Sequence, residues 1–191
     1  MTTSATVVLP VRDFDGMSRL DGVLSPRQRA TLTRALCTRA VAAAREAGLR
    51  LVAVSSSNDV TRWADQQGSE TWPDPGAGLS VAASAAVERM GHDPWIMLHA
   101  DLPLVTAASL HDVAEAGSRA PVLVPSHDGG TNVIASEGSF PFAYGIGSFH
   151  RHFSAVPNAT IITTPALSID IDSPTQLAAF PELIEPSTLS P

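Results

Sequence analysis

The stretch PWIMLHADLPL, residues 94–104, decides how the rest of the chain is interpreted. It begins as an apolar run of strand length and then reaches a single carboxylate at Asp101. Pro103 has no amide proton for a neighbouring strand, and it disfavours a helical conformation at Leu102. We therefore expect a buried strand that ends just before Asp101. Ligands of open α/β sheets bind outside the carboxyl ends of the strands, so Asp101 is predicted to face a ligand site.

The composition fits a single globular domain that does not bind nucleic acid. The 191 residues are 44% hydrophobic and 16% charged, which is the balance of a chain with a sizeable core. The net charge is −7 and all twelve basic residues are Arg, whereas nucleic-acid binding needs a basic surface. We expect one domain over residues 1–191, with residues 181–191 as a proline-rich flexible tail.

Cysteine usage and hydropathy indicate a reducing compartment. Cys37 is the single cysteine, so neither an internal disulfide nor a cysteine metal cluster can form. The sequence has no secretory leader pattern and no apolar run long enough to span a membrane. We expect a soluble, cytoplasmic protein that does not associate with membranes.

Strand patterns alternate with helix patterns along the first half of the chain. A strand is predicted at residues 5–11, and Ser25 and Pro26 supply a cap and a first helical residue for the helix that follows. Further strands are predicted at residues 51–54, 122–125, 132–135 and 160–164, and a loop at residues 72–78. The alternation favours a mostly parallel α/β sheet with helices on both faces, and the closer spacing of the later strands predicts an antiparallel hairpin.

A second acidic signal lies at Asp170 and Asp172. If residues 167–172 form a strand, these two carboxylates project from the same face of it. Two adjacent anions repel, so they favour a cation, and Mg²⁺ prefers oxygen ligands. The alternative is that Asp170 ends the strand and Asp172 only precedes a helix cap. Together with Asp101, the pair predicts a magnesium site.

The loop after the first strand is a candidate for binding phosphates. Gly16 and Ser18 offer backbone N–H groups and a hydroxyl, and Arg12 and Arg19 offer charge. The loop lacks the GxGxxG and P-loop motifs, which argues against a Rossmann dehydrogenase and a P-loop kinase. The alternative is a solvated loop whose Arg residues pair with surface acids, an interpretation that we favour for Arg12 but not for Arg19.

Two further segments place glycines before a hydroxyl. They are GGTN at residues 129–132 and YGIGS at residues 144–148, and the second precedes a predicted helix. Backbone donors and a hydroxyl at a helix start can form an anion site, although two ordinary turns would have the same sequence. His99 is predicted to pack beneath Asp101, most of the histidines to lie on the surface, and the three tryptophans to serve packing.

Taken in order, these motifs resemble the 2-phospho-L-lactate or phosphoenolpyruvate guanylyltransferases of deazaflavin coenzyme F-420 biosynthesis. The resemblance covers residues 9–177 and is strongest at SRL 18–20, LSP 24–26, DPG 74–76, ADLPL 100–104, GTN 130–132 and DIDSP 170–174. It implies a three-layer αβα, Rossmann-like architecture with a mostly parallel mixed sheet, that of the MobA-like nucleotide-diphospho-sugar transferases.

The resemblance also implies substrates and roles. GTP is expected on Arg12, Ser18, Gly78 and Ser80, and Mg²⁺ on the three aspartates. The phospho-acid, which is 2-phospho-L-lactate, phosphoenolpyruvate or 3-phosphoglycerate, is expected on the residues Thr131, Gly145 and Ser148. Asp101, Asp170, Asp172 and Arg19 are the expected catalytic residues. A homodimer is left open.

The chain departs from the family pattern at three positions. Met17 stands where members usually carry Lys, Arg12 replaces a second Lys, and Ser80 replaces a common Asn. The first change removes a charge expected to meet the GTP phosphates. Two alternatives therefore stay open: a MobA-like nucleotidyltransferase with another nucleotide or acceptor, and a non-catalytic paralogue that only binds nucleotide.

Overall fold

The computed structural model describes residues 5–183. Within them, seven strands form one sheet. The strands are β1 Thr6–Pro10, β2 Arg50–Val54, β3 Glu70–Trp72, β4 Pro94–Leu98, β5 Val122–Pro125, β6 Thr131–Glu137 and β7 Thr160–Ile161. The helices are α1 Pro26–Glu46, α2 Asn58–Gln66, α3 Leu79–Met90, α4 Ala107–Gly117, α5 Ser148–Ala155, α6 Pro165–Ser168 and α7 Pro174–Ala178. None of the described helices is long and apolar enough to cross a membrane.

The sheet is mostly parallel, as predicted. Its strand order is β3-β2-β1-β4-β6-β5-β7, and β6 runs antiparallel to both of its neighbours. An antiparallel strand begins at the edge where its parallel neighbours end. The start of β6, at Thr131, therefore lies beside the end of β4, where the amide of His99 donates to the carbonyl of Asn132 at 3.0 Å.

Helices cover both faces of the sheet, and their starts follow the sequence signals. Ser25 and Gln28 form a reciprocal capping box at the start of α1, and Thr106 caps α4 through the amide of Ser109. One large apolar cluster packs β-strand side chains against α1, α2 and α4. A second cluster on the other face contains Trp95 and the alanine-rich side of α3.

The structure corrects two predicted strands. Residues 167–172 are not a strand: α6 occupies Pro165–Ser168, and Asp170 and Asp172 follow it in irregular chain. Pro165 favours a helix start because it supplies the fixed φ of a first helical residue. The strand predicted at residues 160–164 is limited to β7, a short edge strand.

A further correction concerns a loop residue, and the predicted tail is described only at its start. Trp72, placed in a loop by prediction, is the buried last residue of β3 and packs among the side chains of the second cluster. The predicted tail begins with a 3₁₀ turn at Pro181–Leu183, in which Leu183 is buried against Leu177 and other apolar side chains. Residues 184–191 lie outside the described part of the chain.

Candidate active site

A cavity of about 380 Å³ opens at the carboxyl edge of the sheet. It brings together predicted residues that are up to 153 positions apart in the chain. The predicted residues that line it are Arg19, Asp101, Thr131, Gly145, Ser148, Asp170 and Asp172. The carboxylates and the residues expected to hold the phospho-acid therefore share one site.

Asp170 and Asp172 reach the cavity without belonging to the sheet. The amide of Ile171 donates to the carbonyl of Asp101 at 3.0 Å, which ties the irregular segment to the loop after β4. The side-chain amide of Asn132 donates to the carbonyl of Leu167 at 3.1 Å. These two bonds hold Asp170 and Asp172 on either side of an inward-facing Ile171, which is fully buried.

Asp101 is half-buried, and its carboxyl is incompletely paired. Its Oδ1 atom has no hydrogen-bond partner within the described residues. Burial, and then the nearby Asp170 carboxylate, raise the pKa of Asp101 to about 7. A buried carboxyl with an orphaned oxygen beside other anions is poorly stabilised by protein groups alone, which is the chemistry expected of a cation ligand.

Arg19 forms an ion pair with Asp172. Burial raises the pKa of Asp172, and the attraction of Arg19 partly opposes that change. Among residues 5–183, no three His, Cys, Asp or Glu side chains stand in an arrangement that could hold a metal ion. The oxygen donors of the three aspartates suit Mg²⁺ chemically, but one of these carboxylates, that of Asp172, is paired with Arg19.

A second cavity of about 350 Å³ adjoins the first. It is lined by the loop after β1, including Arg12, Gly16 and Met17. Leu79, His99 and Asp101 line both cavities, so the predicted nucleotide loop and the predicted acceptor residues meet at Asp101.

Two residues of this loop have notable local features, one predicted from the sequence and one not. The Arg12 side chain is exposed and pairs with Asp13, which agrees with its interpretation as a solvated residue. Met17 has φ 57°, in the left-handed region, where a residue with a Cβ atom is strained by about 1 kcal/mol or more.

Three predicted nucleotide-binding residues lie beside the cavities without lining them. Ser18 begins a 3₁₀ turn that carries Arg19. Gly78 has φ 91° at the start of α3, a conformation that favours glycine. Ser80 accepts a hydrogen bond from the amide of Tyr144 at 2.9 Å, so its hydroxyl joins the start of α3 to the loop that carries Gly145.

Of the histidines predicted to lie on the surface, His127 is exposed as expected but contacts Asp170, and His152 is buried. His127 accepts a hydrogen bond from Gln176, whose amide NH₂ can only donate, at 2.8 Å. Its Nδ1–H then faces Asp170 Oδ1 at 3.2 Å and orients that carboxylate. His152 is fully buried. The helical spacing i, i+4 from Ser148 was the available signal that His152 faces inward with it.

The structure places His99 in the walls of both cavities that Asp101 lines. The residue is half-buried, and its ring packs beside Tyr144 with ring centroids 5.3 Å apart. Burial lowers the pKa of His99 to about 4. The ring is therefore neutral near neutral pH.

Comparison with known proteins assigns the chain to a family. A family model described as "Guanylyl transferase CofC like" matches residues 5–181. The chain belongs to this family. A phosphoenolpyruvate guanylyltransferase of Rubrobacter xylanophilus is 35% identical over 92% of both chains. A 2-phospho-L-lactate guanylyltransferase of Methanoregula boonei is 33% identical over 86% of this chain and 76% of its own.

Solved structures agree on the fold of this CofC-like chain. A proposed nucleotide-diphospho-sugar transferase of Desulfovibrio desulfuricans superposes with a TM-score of 0.75. The match covers 98% of this chain and 90% of the other, at 13% sequence identity. The predicted three-layer αβα architecture, with the fold of the nucleotide-diphospho-sugar transferases, is confirmed.

Proposed function

We propose that this CofC-like protein transfers GMP from GTP to a three-carbon phospho-acid and releases pyrophosphate, as a step of coenzyme F-420 biosynthesis. The acceptor is 2-phospho-L-lactate, phosphoenolpyruvate or 3-phosphoglycerate. The observation that carries the proposal is the meeting of two cavities at Asp101, one lined by the loop after β1 and the other by Thr131, Gly145 and Ser148. The names of the relatives supply the nucleotide and acceptor class.

The reaction needs no side-chain base. A phosphate monoester loses its second proton with a pKa of about 6, so the acceptor phosphate is already anionic at neutral pH. One of its oxygens forms a bond to the α-phosphorus of GTP while the bond from that phosphorus to the β-phosphate oxygen breaks. Pyrophosphate leaves with the electron pair. The protein therefore acts by holding two anions in line and by neutralising charge.

Asp101, Asp170 and Asp172 would hold Mg²⁺, which when bound supplies the positive charge that the two anionic substrates require. The orphaned Oδ1 of Asp101 supports this assignment. Arg19 pairs with Asp172 in the structure. If Asp172 instead bound Mg²⁺, the Arg19 guanidinium would be released and could contact the pyrophosphate group. Arg12 is exposed beside the second cavity and would contact the nucleotide phosphates.

The proposal is tested by measuring pyrophosphate release with each nucleoside triphosphate in combination with each phospho-acid, with and without Mg²⁺. We expect release only with GTP, one of the three acceptors and Mg²⁺, together with a guanosine diphospho product of the corresponding mass. Turnover with another nucleotide or with a sugar phosphate would replace the substrate assignment. GTP binding without turnover of any pair would identify a non-catalytic nucleotide-binding protein.

A further inference from the structure

His152 lies one helical turn after Ser148 on α5, with none of its surface exposed. Its ring contacts two different segments of the first cavity's wall. Its Nε2 atom lies 2.8 Å from the amide nitrogen of Ala143, and its Nδ1 atom lies 3.0 Å from the hydroxyl of Thr131. The Thr131 hydroxyl in turn lies 3.2 Å from that of Ser148.

These contacts fix the tautomer of His152. The amide of Ala143 can only donate, so Nε2 must be an unprotonated acceptor. Burial, with smaller contributions from Arg151 and His99, lowers the pKa of His152 to about 4, so the ring is neutral near pH 7. The one ring proton is then on Nδ1, and it is donated to the oxygen of Thr131.

The bond from His152 determines the direction of the next hydrogen bond. Because Thr131 Oγ1 accepts from the ring, its own proton must go either to Ser148 Oγ or to an acceptor in the cavity. In the first case Ser148 Oγ accepts the hydrogen bond from Thr131, and the proton of Ser148 is free to be donated to an acceptor in the cavity. Thr131 and Ser148 both line the cavity, so in either case this pair presents a hydroxyl donor to a ligand.

The loop that supplies the Ala143 amide is itself held in place. The guanidinium of Arg151 donates to the carbonyl of Ala143 from Nε at 3.0 Å and from Nη2 at 2.9 Å. The hydroxyl of Ser80 accepts from the amide of Tyr144. The direction of the hydrogen bonds is therefore set by fixed backbone, not by the ligand.

We propose that His152 is a positioning residue for the phospho-acid: through Thr131 it makes the Thr131–Ser148 hydroxyl pair a donor to an anionic oxygen of the acceptor. The proposal rests on the proposed function. It assigns a hydroxyl donor for a carboxylate or phosphate in the cavity that the three aspartates also line. The competing explanation is that His152 only packs against the rings of Phe140 and Tyr144, whose centroids lie 5.7 and 5.1 Å away.

Substitution of His152 by Asn or by Gln distinguishes the roles of the two ring nitrogen atoms. In His152→Asn, the side-chain NH₂ replaces Nδ1 and keeps a donor for Thr131. In His152→Gln, the side-chain oxygen replaces Nε2 and keeps an acceptor for the Ala143 amide. We expect His152→Gln to raise KM for the phospho-acid about tenfold, the effect of one lost directed hydrogen bond. KM for GTP and kcat should change little, and His152→Asn should keep KM for the phospho-acid within about threefold of the wild type.

A double-mutant cycle tests whether His152 acts through Thr131. Thr131→Val removes the hydroxyl, so adding His152→Gln should leave KM for the phospho-acid within about twofold of that of Thr131→Val alone. Equal KM effects of the Asn and Gln variants, or fully additive effects in the cycle, would overturn the proposal in favour of packing.

If the His152 variants do not fold, ¹⁵N NMR of the wild-type imidazoles decides: Nδ1–H supports the proposal, and Nε2–H or a doubly protonated ring overturns it. Failure of the proposed function is distinct, because the wild type would then show no transfer to any phospho-acid.

Discussion

Replacing Asp101 with Asn tests two expected properties of this carboxyl: it contributes to the transfer reaction, and it destabilises the protein when no substrate is bound. The substitution preserves size and removes the charge that burial and Asp170 oppose. We expect transfer activity to fall about 10²–10³-fold, the effect of losing one strong electrostatic contributor at about 3–4 kcal/mol. We also expect the protein without substrates to become more stable, because an ionised carboxyl with an orphaned oxygen is no longer buried.

The stability gain can be estimated from the perturbed acid. A pKa near 7 in place of 3.8 corresponds to about 4 kcal/mol against the ionised form. An asparagine amide must still be buried at the same position, at a cost of about 1–3 kcal/mol. The net gain should therefore be about 1–3 kcal/mol at pH 8, where the wild-type carboxyl is ionised.

Urea denaturation at pH 8 measures this gain, and pyrophosphate release measures the activity. Asp59→Asn is the matched control, since Asp59 is an exposed carboxylate paired with Arg62 on α2, and it should change neither quantity appreciably. If Asp101→Asn retained wild-type turnover, or if it lowered the free energy of unfolding, the assignment of Asp101 as a destabilised cation ligand would be wrong.

Three other substitutions test separate parts of the site. Met17→Lys should lower KM for GTP severalfold, because it places a cation in the wall of the second cavity; an unchanged or higher KM would contradict the phosphate-binding role of this loop. Gly130→Ala should destabilise the protein by about 1–3 kcal/mol, since a Cβ there would lie 2.9 Å from Ser126 Oγ; denaturation equal to wild type would refute this. The lowered pKa of His152, about 4, means that this residue binds more protons in the unfolded chain below about pH 6.5, so its own contribution to stability should fall by up to about 3 kcal/mol from pH 7 to 4. His152→Gln should flatten that dependence in denaturation experiments, and an unchanged slope would show that the ring is not buried neutral.

Local sequence signals predicted most elements of the fold. Ser25 and Pro26 start α1 as expected, because capping and a fixed proline φ act within a few residues. Gly91 ends α3 for the same kind of local reason. The strand at Thr160–Ile161 was predicted too long, since the extent of an edge strand depends on its partner and not on its own sequence.

The candidate site was predicted less completely than the fold. Residues with a recognisable local motif, such as Asp101 and Ser148, lie in one cavity as expected. His127 and His152 were missed because their partners Asp170 and Thr131 are distant in the chain. Periodicity indicates which side of a helix is buried, but it does not show which polar group on another segment is there to pair with the histidine.

The sequence by itself determined that a buried strand delivers Asp101 to the ligand edge of an α/β sheet, because apolar patterning and Pro103 act locally. Only the tertiary structure decided what meets that carboxyl. The antiparallel direction of β6 brings Thr131 to the same edge, and the bond from Ile171 to the Asp101 carbonyl brings the other two aspartates. Both depend on contacts between distant segments, whose free energy is set by burial and pairing in the folded chain and not by local conformational preference.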